Sequence, residues 1–245
     1  MAEAVQSFDD DRHLAQLRKG TIRLRGLMPD CSNYTYLAEV RGPAGRTLAV
    51  YKPARGETPL DDFTTGTLGK REVAAYLVSV ALGWQIVPPT IYRADAPLGP
   101  GSLQLYIAAD PTQHYFTLMP ARAQEFRTMA AFDCIVNNAD RKSGHCLLDA
   151  NGHIWGVDNA LTFHPLPKLR TVIWEFGGED VPDAIRADSV ALTSRLTADE
   201  RWVRQLGQLL TPQELRALAQ RTRAITQEGT FPKPMSRWAY PWPLV

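Results

Sequence analysis

At 245 residues and 44% hydrophobic, with six Trp, eight Tyr and eight Phe, the chain has the apolar material for one large or two small folded domains. Its 27 Lys and Arg balance 26 Asp and Glu to a formal net charge of +1, so nothing in the global charge calls for nucleic acid or an anionic membrane. Cys31, Cys134 and Cys146 show no CxxC or zinc spacing, the acidic start MAEAVQSFDDDRH has no apolar core, and no run approaches ~18 apolar residues; a reduced, cytoplasmic setting without a transmembrane segment is expected.

Residues 20–52 alternate like strands: TIRLRGLM, YTYLAEV and RTLAVYK, separated by the turn-rich PDCSN and by Gly-Pro-Ala-Gly at 42–45. They predict a three-strand meander. KREVAAYLVSVALG then spaces Val73, Leu77, Val80 and Ala81 along one helical face and ends on Gly83, a good C-cap residue. VPPTIYRAD and SLQLYIAAD predict two more strands, so residues 1–110 read as an N-terminal lobe, a small antiparallel sheet with one helix. In EFRTMAAFDCIVNN, Phe126, Met129, Ala130, Phe132 and Val136 share roughly one helical side. After a hairpin come PDAIRADSVALTSRLT, ERWVRQLGQLLT and PQELRALAQRTRAITQEG, each with helical periodicity. The tail FPKPMSRWAYPWPLV carries four prolines and predicts an extended strap. Residues 111–245 therefore read as a mostly helical lobe, and the fold class as α+β.

The hairpin, HCLLDANGHIWGVD, is where chemistry enters. Asn151-Gly152 signals a two-residue turn, which sets His145 opposite Asp158; a four-residue loop sets His145 opposite Gly156 without changing its face. Opposed Cβ atoms lie about 4.5–5.5 Å apart, so an imidazole and a carboxylate share the open end. Asp140, five residues before His145, enters the same mouth. A plainer account stays open, in which His145 and Asp158 form a structural hydrogen bond and Asp140-Arg141 is a surface ion pair worth little. Earlier in the chain, Lys52 ends LAVYK on the face of Leu48 and Val50, which points its amine toward apolar company. Glu72 falls in the first turn of the next helix. A strand Lys steered by a helix Glu can clamp nucleotide phosphates. Taken singly, a strand-end Lys is usually solvated, and a first-turn acid complements the helix dipole.

In order along the chain, Tyr51-Lys52-Pro53, REVAAYL at 71–77, GSLQLY at 101–106, Asn138-Ala139-Asp140-Arg141 and VDNALTF at 157–163 resemble motifs of the phosphatidylinositol 3-/4-kinase superfamily. The match looks closest to type II phosphatidylinositol 4-kinases and their bacterial relatives, and runs from about Gly26 to Pro165. The resemblance implies a two-lobed, protein-kinase-like fold. It also implies that Lys52 contacts the nucleotide phosphates and Glu72 holds it, and that Asp140 orients or deprotonates the acceptor hydroxyl. Asp158 then binds the divalent metal. Pro29 to Asn33, with Ser32 and Asn33, form the loop over the phosphates, and Gln104 lies on the nucleotide-binding strand before the hinge.

Where the family carries a metal-binding Asn this chain has His145, which either supplies a nitrogen ligand, better suited to Mn than to Mg, or hydrogen-bonds Asp158. The cysteine-rich, lipid-modified insertion of the membrane-bound enzymes is absent, and no polybasic surface for phosphoinositide headgroups is evident. The implied activity is phosphotransfer from ATP, with Mg or Mn, to an unknown acceptor: a protein, a small molecule or a lipid. Two further readings use the same fold: a catalytically inactive, nucleotide-binding pseudokinase in which His145 marks lost catalysis, and transfer of AMP.

Overall fold

The computed structural model describes residues 10–29, 31–43 and 45–245. Asp30 of the expected phosphate loop, Ala44 of the first hairpin turn and most of the acidic start lie outside the described residues. In chain order the elements are α1 (Asp10–Lys19), β1 (Thr21–Leu27), β2 (Tyr36–Gly42), β3 (Gly45–Pro53), α2 (Leu68–Ala81), β4 (Thr90–Arg93) and β5 (Gly101–Leu105). There follow α3 (Tyr115–Leu118), α4 (Ala123–Val136), β6 (Cys146–Leu148), β7 (Ile154–Gly156), α5 (Asp183–Ala198), α6 (Glu200–Gly207) and α7 (Pro212–Glu228). The described residues up to Thr58 and Pro89–Tyr106 form one compact unit; Pro59–Pro88 and Ile107–Val245 form a second.

The first unit is a five-stranded sheet in the order β1-β2-β3-β5-β4, with antiparallel neighbours. Alternation sorts β3 cleanly. Ala49, Tyr51 and Pro53 are buried, joining Ala38 and Val40 of β2 and Leu103 of β5, whereas Leu48, Val50 and Lys52 occupy the more open face. Lys52 thus shares a face with Leu48 and Val50 as expected, but that face is not the apolar core: Leu48 is 41% exposed. The helix on this sheet is α1, which packs against β2, β3, β4 and β5. It buries Leu17, and Gln16 Nε2 donates to the carbonyls of Val40 at 3.0 Å and Gly45 at 2.7 Å. The sequence reading assigned the sheet's helix to residues 70–83 instead. Ten residues whose apolar side chains beyond alanine are Leu14 and Leu17 give too narrow a stripe to predict α1 from periodicity.

The helix at 70–83 is α2, a member of the second unit. It begins at Leu68, so Glu72 stands beyond the first turn, where the dipole's pull has faded. Arg71, Glu72, Val73, Ala74, Ala75 and Tyr76 are all buried, so one helix buries adjacent charges that require partners. The remaining helices enclose a core of Phe126, Met129, Phe132, Ile135, Leu192, Leu206 and Leu218. Thr211 and Glu214 start α7 with reciprocal cap bonds, Glu214 N to Thr211 Oγ1 at 3.3 Å and Thr211 N to Glu214 Oε2 at 2.7 Å, with Pro212 at the first helical position. Past Phe231, which packs on Phe176, the tail has only a three-residue helical turn at Arg237–Ala239, as its prolines predict. No described helix is long and apolar enough to cross a membrane.

Candidate functional site

The hairpin forms, in a register different from both expected ones. Cys146 pairs with Gly156, Leu147 with Trp155 and Leu148 with Ile154, so the turn spans residues 149–153. Asp149 is the cause. Its carboxylate accepts the N–H groups of Asn151 and His153, each at 2.9 Å, and the Trp155 indole at 2.9 Å. That side-chain turn displaces the backbone one. Gly152 is left-handed at φ 80° but Asn151 is not, so the type I′ requirement goes unmet. His145 still reaches Asp158 by another route. Val157 N–H donates to the His145 carbonyl at 2.9 Å, Asp158 then turns left-handed at φ 56°, and its Oδ2 lies 3.5 Å from His145 Nε2. The other ring nitrogen, Nδ1, accepts the Lys142 N–H at 3.3 Å.

The preceding loop is built by its two asparagines. Asn137 ends α4 in the left-handed conformation, φ 55°. Its amide donates to the carbonyls of His164 and Leu166, both at 2.8 Å, and accepts Lys168 N–H at 2.9 Å. Asn138 turns inward: Nδ2 donates to Asp133 Oδ1 at 3.1 Å, while Oδ1 accepts the Asp140 N–H at 3.0 Å and so fixes the turn that presents Asp140. One amide anchors the following segment and the other the catalytic-loop candidate itself.

Arg141 is not a surface partner of Asp140. It is fully buried and forks onto Asp133, with Nη2 to Oδ1 at 3.0 Å and Nε to Oδ2 at 3.1 Å. Burial pulls its pKa down, but the Asp133 charge overcomes that and holds it above its ordinary value. The same guanidinium donates to Val157 O at 2.7 Å and Asn159 Oδ1 at 2.6 Å, tying the loop to the segment after the hairpin. That segment is bracketed by two left-handed non-glycine residues, Asp158 and Phe163 at φ 62°. Such backbone costs on the order of 1–3 kcal/mol per residue and persists only where surroundings over-determine it. Here Asn159 N–H donates to Glu72 Oε2 at 3.0 Å, Asn159 Nδ2 to Gly156 O at 2.9 Å, and Thr162 Oγ1 to Asn159 O at 2.7 Å. Arg71 adds a bond to Thr162 O at 2.6 Å and an ion pair with Glu214.

Two side-chain pairs emerge from this frame. Lys142 Nζ lies 3.2 Å from Asp140 Oδ2, and His145 sits beside Asp158. Burial pushes the Asp140 carboxyl above the usual carboxylate range; Lys142 pulls it down, and the charge of Asp158 adds to the upward push. Among the described residues, no group of three or more His, Cys, Asp or Glu is arranged to hold a metal ion. A divalent cation at Asp158 would take its remaining ligands from phosphate oxygens and water, a donor set that suits Mg or Mn.

The other site candidates belong to the first unit. Lys52 stands opposite Ser102, and Val50 opposite Gln104, which donates to Thr90 Oγ1 at 2.8 Å. A side chain on Gly101 would collide with the Lys52 carbonyl, so the glycine lets β5 approach β3 beside the lysine. Asn33 Oδ1 accepts Thr58 N–H at 2.7 Å and Thr58 Oγ1 donates to Ser32 O at 3.0 Å, pinning that loop to residue 58. Sequence reasoning missed Asp133, Lys142, Asn159 and Arg71. Asp133 was findable, because an acid inside the apolar run AAFDCIV must be buried and therefore paired.

No known family profile matches the chain. It is 36% identical over 274 aligned positions to Protein Rv2133c of Mycobacterium tuberculosis (strain ATCC 25618 / H37Rv), covering 98% of this chain and 97% of that protein. The crystal structure of the Helicobacter pylori proinflammatory kinase CtkA matches it with a TM-score of 0.54 over 88% of this chain and 94% of that one, at 10% identity. The likeness shows that the α+β chain has a two-lobed, kinase-like fold.

Proposed function

The chain belongs to the family of the mycobacterial Protein Rv2133c, and on its kinase-like fold we propose that it is a phosphotransferase using ATP and a divalent metal, similar in its motifs to phosphatidylinositol 3-/4-kinases. The observation that carries this reading is the buried Asp133–Arg141–Asn159 linkage, which holds the Asp140 loop and the Asp158 segment in one frame. Such rigidity suits a reaction whose catalysis is mainly positioning and charge stabilisation. Asp140 orients the acceptor hydroxyl and takes its proton, and Lys142 offers a cation beside the reacting group. A divalent ion bound at Asp158 would neutralise charge on the nucleotide phosphates. Lys52 holds the phosphates from the sheet, with Ser32, Asn33 and Gln104 on the nucleotide side, and Glu72 braces the segment after Asp158 through the Asn159 N–H.

For His145 the bonding of Nδ1 favours a contact with Asp158 over ligation. With Nδ1 accepting a backbone N–H, the neutral ring carries its proton on Nε2, which faces Asp158 as a donor. ATP with Mg or Mn should raise the melting temperature of the wild type, and Lys52→Ala should lose most of that shift. His145→Asn should weaken it equally with either metal. A preference that moves from Mn toward Mg in His145→Asn would instead make the ring a ligand, and no metal-dependent shift in the wild type would remove the nucleotide from the account.

The raised Asp140 pKa sets a pH dependence. The base form is present above that pKa and is lost as pH falls through it, so the acid limb of kcat/KM, which reports the free protein, lies above the ordinary carboxylate range. Lys142 lowers the Asp140 pKa, so Lys142→Met should move the acid limb to still higher pH. A limb that stays put or moves down in a pH–rate profile would take Asp140 out of the titration.

A further inference from the structure

The tail beyond Phe231 is largely exposed, with Met235 98%, Trp238 69% and Trp242 87% accessible, yet it makes contact where the candidate catalytic loop needs it. Residues 170–172 run beside the loop: Arg170 N–H donates to Asn138 O at 2.8 Å, Arg141 N–H to Arg170 O at 3.0 Å, and Val172 N–H to Arg141 O at 3.0 Å. The tail then bonds to both strands of this ribbon. Ser143 N–H donates to Leu244 O at 2.8 Å, and Thr171 N–H to Ala239 O at 3.1 Å. Trp174 Nε1 donates to the same Ala239 carbonyl at 3.2 Å, with its ring edge-on to Tyr240. Between the two attachment points Pro241 is buried, while Ala239 and Leu244 are half-buried. Ser143 is itself fully buried, and a buried N–H must find an acceptor; the tail supplies it.

We propose that residues 239–244 are a positioning strap for the catalytic loop: they fix Ser143, three residues after Asp140, and Thr171, which pairs with Arg141, so turnover depends on them and nucleotide binding does not. The inference rests on the assignment of Asp140 to the reaction. The strap touches neither reactant; it acts through the backbone that carries Asp140, and displacement of that backbone by about 1 Å costs on the order of 100-fold in rate.

The test uses the full-length chain with Pro241→Asp or Leu244→Asp, each of which puts a charge at a covered strap position, and Pro241→Ala as the conservative control. Three quantities are read: amide exchange at Ser143 and Thr171, kcat, and KM for ATP. Both acidic variants should lose exchange protection at the two amides and drop kcat by on the order of 10- to 100-fold, with KM for ATP unchanged, while Pro241→Ala keeps wild-type values. Unchanged protection at both amides overturns the strap whatever happens to activity. Lost protection with unchanged kcat overturns its positioning role. A global loss of amide protection in both variants makes the tail a general stabiliser and overturns it too. A wild type without turnover overturns the phosphotransfer reading and the positioning role with it, and the exchange data still report whether the strap holds the loop.

Discussion

Asp140→Asn should lower kcat by about 10²- to 10⁴-fold, the span that a positioned general base contributes, while ATP-dependent thermal stabilisation stays at the wild-type level. The two effects separate because of how the residue is held. The turn that presents it is fixed through its backbone N–H on Asn138, which the substitution leaves alone, and an Asn oxygen can still accept from Lys142 at the present 3.2 Å. What disappears is the ability to take a proton. In the proposed division of labour, Asp140 acts on the acceptor hydroxyl and not on the nucleotide. Turnover within a few-fold of wild type would show that no proton passes through this carboxylate.

Arg141→Met should be the most destabilising single substitution at the site, by roughly 3–5 kcal/mol in urea-unfolding midpoints. Arg141 and Asp133 are both 0% exposed, and removing the guanidinium leaves a carboxylate buried with only Asn138 and Thr171 as neutral donors. The loop would lose its bonds to Val157 and Asn159 in the same step. The double variant Asp133→Asn with Arg141→Met should recover part of the loss, because the uncompensated charge is gone. If the double variant proves as unstable as the sum of the singles, the cost comes from packing and not from charge.

These two residues also show where sequence reading stops. The strands of the first sheet and the helices of the second unit follow from alternation and periodicity, because each buries one face and its residues announce that face locally. That His145 and Asp158 come near each other was legible because they flank one short hairpin, although they meet beyond its ladder. The register was not legible, since Asp149 overrode the Asn-Gly turn with its own side-chain bonds. Nor was the role of Arg141, for which a surface pairing with its neighbour Asp140 stayed open; its partner stands eight residues back on α4. Adjacent residues on an extended segment face opposite ways, so the nearest opposite charge in sequence is a poor guide to the partner in space. The tail's prolines foretold an extended strap, but not that its carbonyls would meet Ser143 and Thr171.

The central claim is tested most directly with ATP labelled at the γ or the α phosphate, incubated with the wild-type chain and Mg or Mn in the presence of protein extract, small metabolites and lipid vesicles. The account predicts that γ label appears in one of the protein, small-molecule or lipid fractions, that α label stays with the nucleotide, and that with Asp140→Asn both labels stay with the nucleotide. Wild-type counts no higher than those of Asp140→Asn would contradict phosphotransfer and leave a nucleotide-binding pseudokinase, and α label in the acceptor fraction would make the reaction AMP transfer instead.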